Sequence, residues 1–216
     1  MPNFFTDNDD IQFLFNHMPL AEVAAVQEDN FTRNSGKGSE YAPADAADAI
    51  DNYRRVLEIV GDVAANYVAP RAEQVDAQGN TLNEDGTVTL NEGVAKNIGD
   101  LAKAELLGFT LPREYGGLNC PNLIYTMAIE IISRADASLM NIFGLQGIAE
   151  TIWAFANDEI RNEYLPQFAE GKVTGAMVLT EPDAGSDLQA VGLRAWQDDD
   201  GQWRLTGVKR FITNGC

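Results

Sequence analysis

Cysteine, histidine and positive charge are all scarce in this sequence. Two cysteines, Cys120 and Cys216, and a single histidine, His17, occur among 216 residues. Two thiols cannot build a disulfide framework or a thiolate metal site. One imidazole is too few for a His-rich zinc or iron centre, so no metal ligand is assigned. Lysine and arginine total 15 against 33 acidic residues, a formal net charge of −18. That balance argues against wrapping nucleic acid or lying on an anionic membrane, both of which need basic patches. It still allows an anionic small molecule held at a local positive site. No run of about 18 apolar residues is present to span a bilayer. The opening MPNFFTDNDD lacks the basic and apolar regions of a secretory signal, so a soluble cytoplasmic protein is expected.

Hydrophobic residues make up 45% of the chain, enough for a folded core rather than an acidic tail. Three regions follow from composition and period. Residues 1–40 read as an extension with a short apolar cluster (Ile11, Phe13, Leu14, Phe15), a short helix in MPLAEVAAV and a linker-like NFTRNSGKGSEY. Residues 41–173 read as a helical domain. Its first long helix is capped by Asp45 and carries Ile50, Tyr53, Leu57, Val60, Ala64 and Tyr67 at three- and four-residue steps, with Pro70 marking its weakening or end. A small hairpin at Asp85-Gly86 precedes helices expected over 92–107, 121–134, 139–156 and 158–169. From residue 174 the period changes to that of strands: GAMVLT, the alternating RAWQDDDGQWRLTG and VKRFIT. The fold class is therefore α+β, a mainly helical N-terminal domain followed by the first strands of a truncated β domain over 174–216.

The chemistry concentrates in MVLTEPDAGSD, Met177 to Asp187. A strand runs into a Pro/Gly turn carrying two hydroxyls, Thr180 and Ser186. Glycine at 185 permits close approach of a ligand to the backbone, and free N–H groups in a tight turn make an anion-binding concavity. Glu181, Asp183 and Asp187 would repel phosphate and read as turn or capping residues, or as partners of a nearby arginine. Elsewhere the plain readings prevail. His17 is a surface or packing residue, and Cys120 is a packed loop thiol with no activating histidine. Trp153, Trp196 and Trp203 read as core and cross-strand residues, and Asp198-Asp199-Asp200 as a solvated hairpin tip. Arg194, Arg204, Lys209 and Arg210 give the β region local positive charge, which suits either an anionic ligand or strand-edge protection.

The residue strings themselves resemble the acyl-CoA dehydrogenase family. TEPDAGSD matches that family's flavin-binding motif, and LPREYGG, EIISRADASL, NEYLPQFAEGKVTGA and KRFITNG fall in the family's order across about residues 45–216. The N-terminal extension resembles that of a bacterial subgroup that includes methylmercaptopropionyl-CoA dehydrogenases. The resemblance implies FAD as cofactor, an acyl-CoA thioester as substrate oxidised to the 2,3-enoyl-CoA, and a separate electron-accepting flavoprotein as partner. It also implies a homo-oligomer when full length. Met177, Val178, Leu179 and Thr180 would line the flavin's pyrimidine side. Gly185 and Ser186 would sit by its phosphates, with Ser186 also contacting the acyl-CoA, and Phe211, Ile212 and Thr213 would pack beside the ring. The family often has Trp where this chain has Phe211, which keeps an apolar face but lacks the indole donor. The family's catalytic carboxylate lies on a C-terminal helical domain, so no base is assigned and it is expected beyond Cys216. The isolated chain is accordingly expected to be inactive. A naturally short, non-catalytic binding or assembly protein and a fragment of an acyl-CoA oxidase stand as alternatives.

Overall fold

The apolar positions of the first 175 residues fall on helical faces, and the computed structural model, which describes residues 1–32 and 36–215, gathers them into helices. It divides into two compact units at Gly175/Ala176. In the first unit, α1 (Asp9–His17) and α2 (Leu20–Gln27) precede the long α3 (Ala46–Val63). Asp45 caps α3 by accepting from the N–H groups of Ala47 (2.9 Å) and Asp48 (3.0 Å). The helix does not stop at Pro70. A π turn over Ala64–Val68 leads into α4 (Ala69–Gln78), and Pro70 falls in the first turn of α4, where a missing N–H is best tolerated.

The hairpin expected at Asp85-Gly86 is present as β1 (Thr81–Leu82) and β2 (Val88–Thr89), with Gly86 at φ 82°. Next comes α5 (Glu92–Lys103), shorter than its apolar pattern suggests because Glu105 turns to φ 59°. Leu106 and Leu107 are still buried, but from the loop. The largely apolar α6 (Asn122–Ala135) lies in the core, and Asp136 both ends it and caps α7 (Ala137–Leu145) through the N–H groups of Ser138 and Leu139. The single helix expected over 139–156 is two, α7 and α8 (Ile148–Phe155), broken at Gln146-Gly147. Asn157 caps α9 (Asp158–Ala169).

Residues 1–28 are built into this unit. Phe5, Ile11, Phe15, Leu20 and Ala24 share one core cluster with Tyr53, Leu57, Ile131 and Ile132. The Phe4 N–H donates to the Gly61 carbonyl (3.1 Å) and the Asn3 amide to that of Glu58 (2.8 Å). This approach needs glycine at 61, since a Cβ there would lie 2.6 Å from the Phe5 backbone nitrogen. Glu28, 3% exposed, accepts a bidentate pair from Arg113 (2.8 and 2.7 Å) and a third bond from Asn119 (3.1 Å).

In the second unit, β3 (Arg194–Gln197) pairs antiparallel with β4 (Trp203–Thr206) about a turn at Asp198–Gly201. The runs expected as strands on either side, GAMVLT and VKRFIT, form no ladder among the described residues. Their backbones meet where the Arg210 N–H donates to the Thr180 carbonyl (3.0 Å). Trp196 and Trp203 pair with Arg204 and Gln197, so their indoles stand on opposite faces of the hairpin. All three tryptophans are exposed, and Trp153 on α8 is therefore not the core residue its composition suggests. Among the described residues no helix is long and apolar enough to cross a membrane.

Candidate functional site

The segment singled out by its hydroxyls and glycine begins the second unit. Met177, Val178 and Leu179 are 53, 54 and 42% exposed, an apolar run that the unit's own residues do not cover. Thr180 follows, half-buried, and then a tight turn closed by reciprocal backbone bonds between Glu181 and Ala184 (3.0 and 3.2 Å). Gly185 and Ser186 are exposed at its exit. A Cβ at Gly185 would meet no atom within 4 Å, so nothing among the described residues requires glycine there. Room beside a bare backbone is what a closely approaching ligand uses. Asp187 caps the short turn that follows by accepting from the Gln189 N–H (3.2 Å), the capping role its sequence position suggests.

The second segment, 209–213, lies beside the first through the Arg210–Thr180 bond. Phe211 is 76% exposed and takes φ 60°, a left-handed conformation that bulky side chains avoid. The Arg210 guanidinium sits 4.8 Å from the centre of its ring. Ile212 is half-buried and Thr213 exposed. The structure thus brings 177–180 next to 210–211. Among the described residues no hydrogen bond joins Gly185 or Ser186 to Phe211, Ile212 or Thr213.

Sequence reasoning underrated Glu181 and read Lys209 only as local positive charge, for an anionic ligand or strand-edge protection, not as a partner of Glu181. Glu181 accepts the N–H groups of Gly192 (2.8 Å) and Leu193 (2.9 Å) and the Lys209 ammonium (3.0 Å). Those bonds, the Gly192 N–H foremost, hold its carboxyl below the usual carboxylate range. Its partner is a lysine, not an arginine, 28 residues away. No local pattern announces a pair so separated. Asp198 is likewise more than a solvated tip. It accepts from the Gln202 N–H (2.8 Å) and from Arg204 (2.6 Å), which organises the turn.

Within the helical unit a cavity of about 510 Å³ is lined by Tyr53, Val56, Arg113, Leu118 and Cys120, among others. Burial pushes the Cys120 thiol up to about 12, which suits a packed residue rather than a nucleophile. His17 is exposed, stacked on Phe13 at 4.2 Å. No cluster of potential metal ligands occurs among the described residues.

The model of the acyl-CoA dehydrogenase N-terminal domain matches residues 51–172, and that of the middle domain matches residues 176–216. The chain belongs to the acyl-CoA dehydrogenase family. Among relatives, the 3-methylmercaptopropionyl-CoA dehydrogenase of Ruegeria pomeroyi is 33% identical over 171 residues, covering 77% of this chain and 28% of that protein. The mitochondrial 2-methylacyl-CoA dehydrogenase of Solanum tuberosum is 34% identical over 168 residues, covering 76% of this chain and 38% of that protein. An acyl-CoA dehydrogenase from Bacillus anthracis, solved in complex with FAD, superposes with a TM-score of 0.64 at 28% identity, over 75% of this chain and 26% of that one. The chain therefore spans well under half the length of these family members. The helical unit and the paired strands after it correspond to the family's N-terminal domain and the start of its middle domain.

Proposed function

We propose that this chain supplies the flavin-holding part of an FAD-dependent acyl-CoA dehydrogenase, which oxidises an acyl-CoA thioester to the 2,3-enoyl-CoA and passes electrons to a separate flavoprotein. The observation that carries this reading is the pairing of an uncovered apolar run, Met177–Leu179, with a turn in which Gly185 has no internal reason to be glycine. An apolar face beside a phosphate-compatible turn suits a ligand that is part planar ring and part diphosphate. Met177, Val178, Leu179 and Thr180 would take the ring's polar edge through backbone groups and the Thr180 hydroxyl. Gly185 and Ser186 would meet the phosphates, with Ser186 also reaching the thioester substrate. Phe211, Ile212 and Thr213 would pack against the ring. The bound flavin would supply hydride acceptance, while the protein orients it and shields it from water.

These residues bind and orient, and none is proposed as the carboxylate that removes the substrate's α-proton. The 216 residues alone are therefore expected not to oxidise acyl-CoA. Anaerobic mixing of acyl-CoA with the FAD-loaded protein tests both halves. In a polypeptide that also carries the family's base, the flavin absorbance bleaches. In these 216 residues by themselves it stays constant. Bleaching by the short chain, or none by the longer one, contradicts the proposal.

A further inference from the structure

The two segments assigned to the flavin are not joined by a strand ladder, so something else must fix their mutual position. Lys209 sits between them. Its ammonium donates to the Leu179 carbonyl (2.7 Å) and to Glu181 (3.0 Å), and the next residue, Arg210, donates its N–H to Thr180. Glu181 in turn ties the turn to the strand approach at Gly192 and Leu193. The Glu181 and Lys209 side chains are only 11 and 14% exposed, and the carboxylate takes three donors that lie 11, 12 and 28 positions along the chain from it. Bonds to an ionised group are stronger and more directional than neutral ones, and semi-enclosed pairs are screened less by salt. Neither side chain is among those assigned to contact FAD, yet Glu181 follows the assigned Thr180 in the chain and Lys209 bonds the carbonyl of the assigned Leu179.

We infer that Glu181 and Lys209 are positioning residues that hold Leu179–Thr180 and Arg210–Phe211 in the arrangement that receives FAD. The inference rests on the flavin assignment above. Lys209 is the clamp between the segments, and Glu181 anchors the clamp to the remainder of the unit. Phe211 gives the clamp a physical task, since a bulky residue at positive φ persists only where its surroundings hold it there.

The test compares the unsubstituted protein with Lys209→Met, Glu181→Gln and Lys209→Arg by two readouts. The first is hydrogen exchange at the amides of Gly192, Leu193 and Arg210 without FAD. The second is FAD affinity, from quenching of flavin fluorescence. Lys209→Met should speed exchange at Arg210, and Glu181→Gln at Gly192 and Leu193. Each should weaken FAD binding by about tenfold or more, as expected for loss of a charge-assisted bond, with the far-ultraviolet helical signal unchanged. Lys209→Arg, which keeps the charge and the donors, should recover most of the affinity. Faster exchange with unaltered FAD affinity, or no rescue by arginine, overturns the inference and leaves the flavin assignment standing. Failure of the unsubstituted protein to bind FAD overturns the assignment itself, and the inference with it.

Discussion

Glu181 shows how much a single carboxylate carries in the second unit. Its value in the folded protein lies below the ordinary 4.5 because backbone donors and Lys209 favour the charged form. Its contribution is therefore complete above about pH 4.5 and is lost as pH falls through the lowered value. The pH titration of the Gly192 amide shift by NMR should have its midpoint below 4.5, and a midpoint at or above that value contradicts the geometry. In the helical unit Glu28 is more deeply buried and holds the Arg113 guanidinium and the Asn119 amide. Removing it as Glu28→Ala leaves the Arg113 guanidinium without its counter-charge, a loss of about 3–5 kcal/mol in urea unfolding. A loss under about 1 kcal/mol, the range of exposed pairs, contradicts that account. Cys120, with its thiol raised to about 12 by burial, should stay unmodified by iodoacetamide at about pH 8 in the folded protein. Its alkylation, read by peptide mass, would show that the site opens.

At the scale of elements, legibility followed locality. The Asp45 cap, the Asp85-Gly86 hairpin and the Asp198–Gly201 turn each depend on a few neighbouring residues, and each is where the sequence places it. The break between α7 and α8 was not legible, because the apolar pattern continues through Gln146-Gly147 while the backbone turns. Residues 1–40 read as an extension because their apolar residues form only a short cluster and one short helix before a linker-like stretch. What secures the first 28 lies elsewhere in the chain: the groove left by Gly61, the Arg113 guanidinium and the apolar faces of α3 and α6. Phe5 is fully buried there, so Phe5→Ala should cost about 3–5 kcal/mol in thermal or urea unfolding. A dispensable extension would lose less than about 0.5 kcal/mol.

For the whole molecule, the family was legible because several short strings stand in a fixed order. The physical character of the segment proposed to hold the flavin was not, since its defining bonds join residues about 30 positions apart. A net charge of −18 is compatible with an anionic cofactor because the proposed contacts are turn N–H groups and hydroxyls rather than a basic surface. The central claim is that FAD sits against Met177–Ser186 and Phe211–Thr213. Hydrogen exchange of the protein with and without saturating FAD, followed by mass spectrometry, tests it most directly. The account predicts slower exchange in peptides covering 177–186 and 209–213 when FAD is bound. Bound FAD with unchanged exchange in both peptides would contradict it.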